Sequence, residues 1–169
     1  MKLSFLPAFA ICAVLSLSSC ALFKKNNGGE GGADGDYVTG TPLPERQDGT
    51  GFMSDNVNRS QFQPVYFGYD SFTVSDAELA KLDTVAGAMK RMPNNIIIAG
   101  FTDDRGTEEY NRGLGERRAE AVREALIGMG VNANRLQTVS FGEDMPADPG
   151  DSEAAYAKNR RAEFGVVKK

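Results

Sequence analysis

Histidine and tryptophan are absent from the 169 residues, and cysteine occurs only at Cys12 and Cys20. Without histidine there can be no Ser–His or Cys–His nucleophile pair and no histidine-ligated zinc. With both cysteines among the first 20 residues, no disulfide can staple the rest of the chain, even in an oxidising compartment, and the fold must stand on its core. A basic excess is lacking too. The 19 Lys and Arg face 23 Asp and Glu, a formal charge of −4, which argues against a nucleic-acid partner. The N-terminal apolar run, from Leu3 to Leu15, is too short to span a bilayer comfortably. Of the hydrolytic chemistries, paired carboxylates remain open.

What is present begins with that run. Lys2 precedes it and Leu17-Ser18-Ser19-Cys20 follows, the layout of a secretory signal over residues 1–19. The four residues ending in Cys20 resemble the lipobox of bacterial lipoproteins, in which the Cys thiol is acylated and becomes residue one of the mature protein. The resemblance implies lipidation at Cys20, loss of Cys12 with the signal, and a soluble domain tied to a membrane outside the cytoplasm. Ala21, not Asp, follows Cys20, as in lipoproteins sorted to the outer membrane. Residues 20–62 then read as the lipidated Cys and a flexible tether. The stretch from Asn26 to Asp36 is rich in Gly and polar, with nothing to bury. Some 40 such residues have a root-mean-square span of roughly 35 Å.

Order is expected from about Gln63, giving a domain over 63–169. Residues 64–69 are aromatic and β-branched and predict a strand closed by Asp70. Ser75 and Glu78 have the spacing of a capping box, and Val74 with Leu79 that of a hydrophobic staple, at the head of a helix that Pro93 stops. Ile96 to Thr102 is a continuous run without alternation, the mark of a strand buried on both faces. A second helix, capped by Thr107, runs to Gly128 or Gly130. Leu136–Phe141 predicts a third strand, Glu153 to about Arg160 a short helix, and Ala162–Val167 a last, half-exposed strand. The order β-α-β-α-β-(α)-β points to an α/β protein, a two-layer α/β sandwich with a mixed sheet.

The second helix carries the chemistry. Leu114, Ala121, Val122, Ala125, Leu126 and Met129 share one face, with Arg118 in its middle and Asn111 one turn earlier. A guanidinium facing the core needs a carboxylate or an anionic ligand, because an unpaired buried charge costs several kcal/mol. Asp103 and Asp104 stand just upstream, at the carboxyl end of a central strand, where α/β sheets bind ligands and where a helix N-terminus favours anions. A positive and a negative pole side by side suit a zwitterion, such as the amino and carboxylate groups on one amino-acid centre. The alternative is an Arg118–Asp103 pair that merely locks helix to strand.

The run from Gly100 to Asn111, then Leu114 to Val122, resembles the signature of the OmpA-like peptidoglycan-binding domain, and within it that of the peptidoglycan-associated lipoproteins. Residues 65–70 resemble the family's first strand and 154–163 its closing motif, so the likeness covers about 63–168. It implies that Asp103 and Arg118 grip the free amino and carboxylate ends of meso-diaminopimelate in the peptidoglycan stem peptide. Leu114 would flank this ligand and Asn111 would order the loop. Asp70 and Phe72 would line the same crevice from the first strand-to-helix loop, and Thr102, Gly106, Asn159 and Arg160 would support it. Phe101 departs from the polar residue more common there; it is either core or an apolar wall of the site.

The expectation is therefore a non-enzymatic linker without cofactor, held by lipid in the outer membrane, its domain facing the periplasm and binding the cell wall. Its protein partners would be the Tol proteins, chiefly TolB. A wall-binding lipoprotein outside the Tol system is the alternative. A hydrolase using Asp103 and Asp70 is disfavoured, because Arg118 would hold Asp103 ionised and unfit as an acid. The acids of the 143–151 loop lack the alternating spacing of a calcium loop, so no metal is expected.

Overall fold

A computed structural model describes residues 51–168; the signal, Cys20 and the Gly-rich stretch lie outside the described residues. The elements are β1 (Val57–Asn58), β2 (Val65–Tyr66), α1 (Asp76–Met89), β3 (Ile96–Phe101), α2 (Glu108–Gly128), β4 (Leu136–Gly142), α3 (Glu153–Asn159) and β5 (Arg161–Val167), with a single 3-10 turn before β4. The sheet order is β1-β5-β3-β4, with β2 also on β5. Strands β3 and β4 run parallel, joined through α2, and β5 lies antiparallel to β3. This is the expected mixed sheet under helices.

Strand β3 is buried along its whole length, as a run without alternation requires. Its even residues, Ile96 and Ile98, meet Leu82, Val85, Val122 and Leu126 from the helices. Its odd residues, Ile97, Ala99 and Phe101, pack with Phe52, Val57 and Val139 on the other face. Helix α2 sits so close to β3 that a Cβ on Gly100 would lie 1.9 Å from the Gly115 carbonyl oxygen. The two glycines allow the approach that brings Arg118 over the strand end.

Four expectations need correction. Residues 51–60 are not tether: Phe52 is buried and β1 pairs with β5, Val57 opposite Val167. An apolar sheet face with no helix on it needs cover, and this segment supplies it. Strand β5 is accordingly interior rather than half-exposed. Gly165 makes room for the cover, since a Cβ there would stand 2.5 Å from Val57 and 2.9 Å from the Phe52 ring. The first strand is shorter than 64–69. Past Tyr66 only the Phe67 N–H still bonds across, to the Arg160 carbonyl at 2.9 Å, and Asp70 turns the chain at φ +47°. Lastly, the capping box is not formed. The Ser75 side chain makes no cap bond, and the Glu78 carboxylate instead accepts from the Tyr66 N–H at 3.0 Å and from Lys81. The Thr107 cap is as expected, its hydroxyl accepting from the Tyr110 N–H at 3.2 Å.

Candidate functional site at the carboxyl end of the central strand

Arg118 is wholly buried, and it is held neither by Asp103 nor by any other carboxylate among the described residues. Its guanidinium donates to three backbone carbonyls: Nε to Ser71 at 2.8 Å, Nη1 to Phe101 at 2.9 Å and Nη2 to Gly68 at 3.2 Å. Both readings made from the helix wheel assumed a charged partner, and the carbonyls of two loops serve instead. Burial pulls the pKa of Arg118 down to about 10, so it stays charged at neutral pH. A guanidinium has five N–H donors, so three bonds leave two uncommitted.

Asp103 is also buried, and its Oδ2 accepts from Arg105 Nη2 at 2.6 Å and Arg160 Nη1 at 3.2 Å. Oδ1 has only a long contact, 3.4 Å, from the Arg105 N–H. Burial alone would raise this carboxyl's pKa. The hydrogen bonds from Arg105 and Arg160 outweigh it and hold the group below the usual carboxylate range. Asp103 is thus ionised, with one oxygen saturated and one nearly free.

The surrounding residues divide by role. Asn111 is buried and donates to the Glu143 carboxylate, tying α2 to the loop after β4. Leu114 is buried on the same helix face. Asp70 accepts a hydrogen bond from the Tyr110 hydroxyl, which fixes the first strand-to-helix loop to the first turn of α2. Phe72 is 46% exposed, with the Arg117 guanidinium over its ring. Gly106 takes φ +115°, which lets the turn after Asp103 reverse without strain. Thr102 donates its N–H to the Gly142 carbonyl at 2.8 Å, and its buried hydroxyl has no partner. Asn159 braces the loop before α3 through both the N–H and carbonyl of Asp148. Arg160 spans Phe67, Asp103 and Glu153. All the expected site residues described here therefore lie around one strand end. Phe101 belongs to the core of the opposite sheet face, stacked on Phe141 with centroids 5.2 Å apart and covered by Arg161 at 3.9 Å; only its carbonyl faces the site.

Sequence reasoning missed Arg105 and Tyr110. Arg105 stands two residues after Asp103, just before the Gly106 turn, a spacing that lets its side chain return onto the carboxylate. Tyr110 is in the first turn of α2, but its partner is 40 positions away, and no local pattern announces that.

A mixed sheet under helices, with a buried acid and guanidinium at its central strand end, defines an α/β class of domain. The model of the OmpA family matches residues 66–160, and the chain belongs to that family. Among curated relatives, the peptidoglycan-associated lipoprotein of Haemophilus influenzae is 46% identical over 105 residues, 62% of this chain and 69% of that protein. The protein of the same name in Pseudomonas putida is 34% identical over 167 residues, 97% of each chain. Among solved structures, the peptidoglycan-associated lipoprotein from Burkholderia pseudomallei has 41% identity and a TM-score of 0.61, with 68% of this chain and 98% of that one covered. The C-terminal domain of Helicobacter pylori MotB has 29% identity and a TM-score of 0.60, covering 64% and 86%. Among the described residues no helix is long and apolar enough to cross a membrane.

Proposed function

We propose that this chain is a non-enzymatic, lipid-anchored outer-membrane protein whose domain faces the periplasm and binds peptidoglycan noncovalently, linking membrane to wall. The observation that carries the binding site is the juxtaposition of Asp103 and Arg118, an ionised carboxylate with one nearly free oxygen beside a guanidinium with two uncommitted donors. The ligand is the free amino-acid centre of meso-diaminopimelate in the stem peptide. Its ammonium group meets Asp103 Oδ1 and its carboxylate takes the remaining N–H donors of Arg118. Because the 68–71 loop covers Arg118 completely, this loop must shift as the ligand enters. The names of the relatives, 34% to 46% identical, support the peptidoglycan reading and the lipid anchor. Anchoring at Cys20 rests on the lipobox resemblance. By the family resemblance the protein partner is a Tol protein, TolB first, which a pull-down with the full chain tests.

A hydrolase using Asp103 and Asp70 finds no support in the geometry. Two guanidinium groups hold Asp103 ionised, and an acid catalyst must carry a proton. The test is co-sedimentation of the full chain with purified sacculi. Wild type should pellet and Asp103→Asn should stay in solution, with no muropeptide released. A folded Asp103→Asn that pellets like wild type overturns the site.

A further inference from the structure

We infer that Tyr69, Phe72 and Tyr110 form a second contact surface at the mouth of this site, one that takes the apolar face of an aminosugar in the glycan to which the stem peptide is attached; the inference rests on the peptidoglycan reading above. Large rings are normally covered, yet Tyr69 is 64% exposed and Phe72 and Tyr110 are 46% each. Single exposed rings need no explanation, but these three stand together. Tyr110 bonds Asp70, which lies between Tyr69 and Phe72 in the loop. The Arg117 guanidinium sits 5.8 Å from both the Phe72 and the Tyr110 centroids. Arg105, whose Nη2 holds Asp103, lies 4.2 Å from the Tyr69 centroid, which places that ring one guanidinium's breadth from the carboxylate.

A guanidinium stands against each ring, Arg105 against Tyr69 and Arg117 against Phe72 and Tyr110, and limits how far it can turn, so each ring is presented at little further cost in entropy. A pyranose offers a face of C–H bonds whose positive edges suit the negative face of a ring, and a rim of hydroxyls that suits the adjacent Asp70 and Arg117. Reach decides for a sugar over a protein segment. The stem peptide hangs from its aminosugar by a lactyl group, and a few residues at about 3.3–3.6 Å each separate that sugar from the diaminopimelate centre. A peptide seated at Asp103 and Arg118 holds its own sugar near these rings, so the second contact is intramolecular.

The experiment compares two probes by calorimetry on the full chain: a stem tetrapeptide with meso-diaminopimelate, and the same peptide on its disaccharide. The quantity read is the ratio of the two dissociation constants, which disturbance of the peptide site alone does not move. Wild type should prefer the disaccharide-peptide by roughly three- to tenfold, the size of one or two stacking contacts. Tyr69→Ala should bring the ratio close to one, and Tyr69→Phe should keep it. Equal binding of the two probes by wild type overturns the inference while the peptide reading stands. A preference that survives in Tyr69→Ala also overturns it and leaves the rings to a protein partner. Binding of neither probe overturns the peptidoglycan reading itself.

Discussion

Changing Asp103 and changing Arg118 disturb different things. Asp103→Asn keeps the shape and a hydrogen-bonding oxygen but removes the charge that a ligand ammonium needs. Wall binding should fall by on the order of 2–5 kcal/mol, since the ammonium is then left buried and unpaired. The same change should alter the acid limb of stability. The folded-state pKa of Asp103 lies below its ordinary 3.8, so the unfolded chain takes up this proton first as pH falls. The stability it contributes is complete above pH 4 or so and is lost as pH drops through the folded value. Wild type should therefore lose stability below pH 4 more steeply than Asp103→Asn, as acid titrations followed by circular dichroism would show. Arg118 is a structural residue as well as a candidate ligand-binding one. Arg118→Lys keeps the charge, but three donors on a point cannot serve carbonyls of Gly68, Ser71 and Phe101 in a plane. Each buried carbonyl left bare costs about 1–3 kcal/mol. The variant should lose stability and binding together, and urea unfolding beside sacculus binding on the same samples checks both. Lost binding without lost stability would mean the three carbonyl bonds matter little to the fold.

At the scale of elements, helix α2 and strand β3 carry the site, and their approach is set by Gly100 and Gly115. Gly100→Ala would push a methyl group into the Gly115 carbonyl, and backbone cannot step aside as a side-chain tip can. It should destabilise by at least about 1–3 kcal/mol, the usual cost of overpacking. Gly128, at the end of the same helix, meets nothing within 4 Å, and Gly128→Ala should stabilise by about 0.4–1 kcal/mol. Melting the two variants side by side checks the contrast; equal effects would mean close packing is not what the first glycine serves. These elements were the legible part of the sequence. The unbroken apolar run of β3, the stripe of α2 and the cap at Thr107 are local patterns, and each announced its element. Arg118 could be placed facing inward from the wheel, but its partners could not be named, because carbonyls of Gly68 and Ser71 leave no trace in a sequence pattern. Glu78 misled for the related reason that its carboxylate had a better use. It caps the Tyr66 N–H, twelve positions back, where the local box predicted its own helix.

For the whole molecule, the misread segment is the informative one. Residues 51–60 looked like tether because they hold few apolar groups and no period, yet Phe52 packs on both Phe101 and Phe141, with centroids at 6.4 and 5.8 Å. One ring in the right place can close a small sheet face that has no helix of its own. A chain beginning at Gln61 would keep every residue of the candidate site but expose Ile97, Ala99, Phe101 and Val139 together. It should be less stable than one beginning at Gly51 and should self-associate, since an open apolar face next to β5 invites another copy. Phe52→Ala tests the same point without truncation and should cost about 3–5 kcal/mol. Because the cover lies on the face away from the helices, while Asp103 and Arg118 face the α1–α2 side of the strand end, the fraction of Phe52→Ala that remains folded should bind sacculi like wild type. Thermal melting, sedimentation velocity and sacculus binding on one preparation separate these effects. A Phe52→Ala protein that melts with wild type would return residues 51–60 to the tether, whereas one that is folded but no longer binds would mean the cover reaches the site through the Phe101 carbonyl that Arg118 holds.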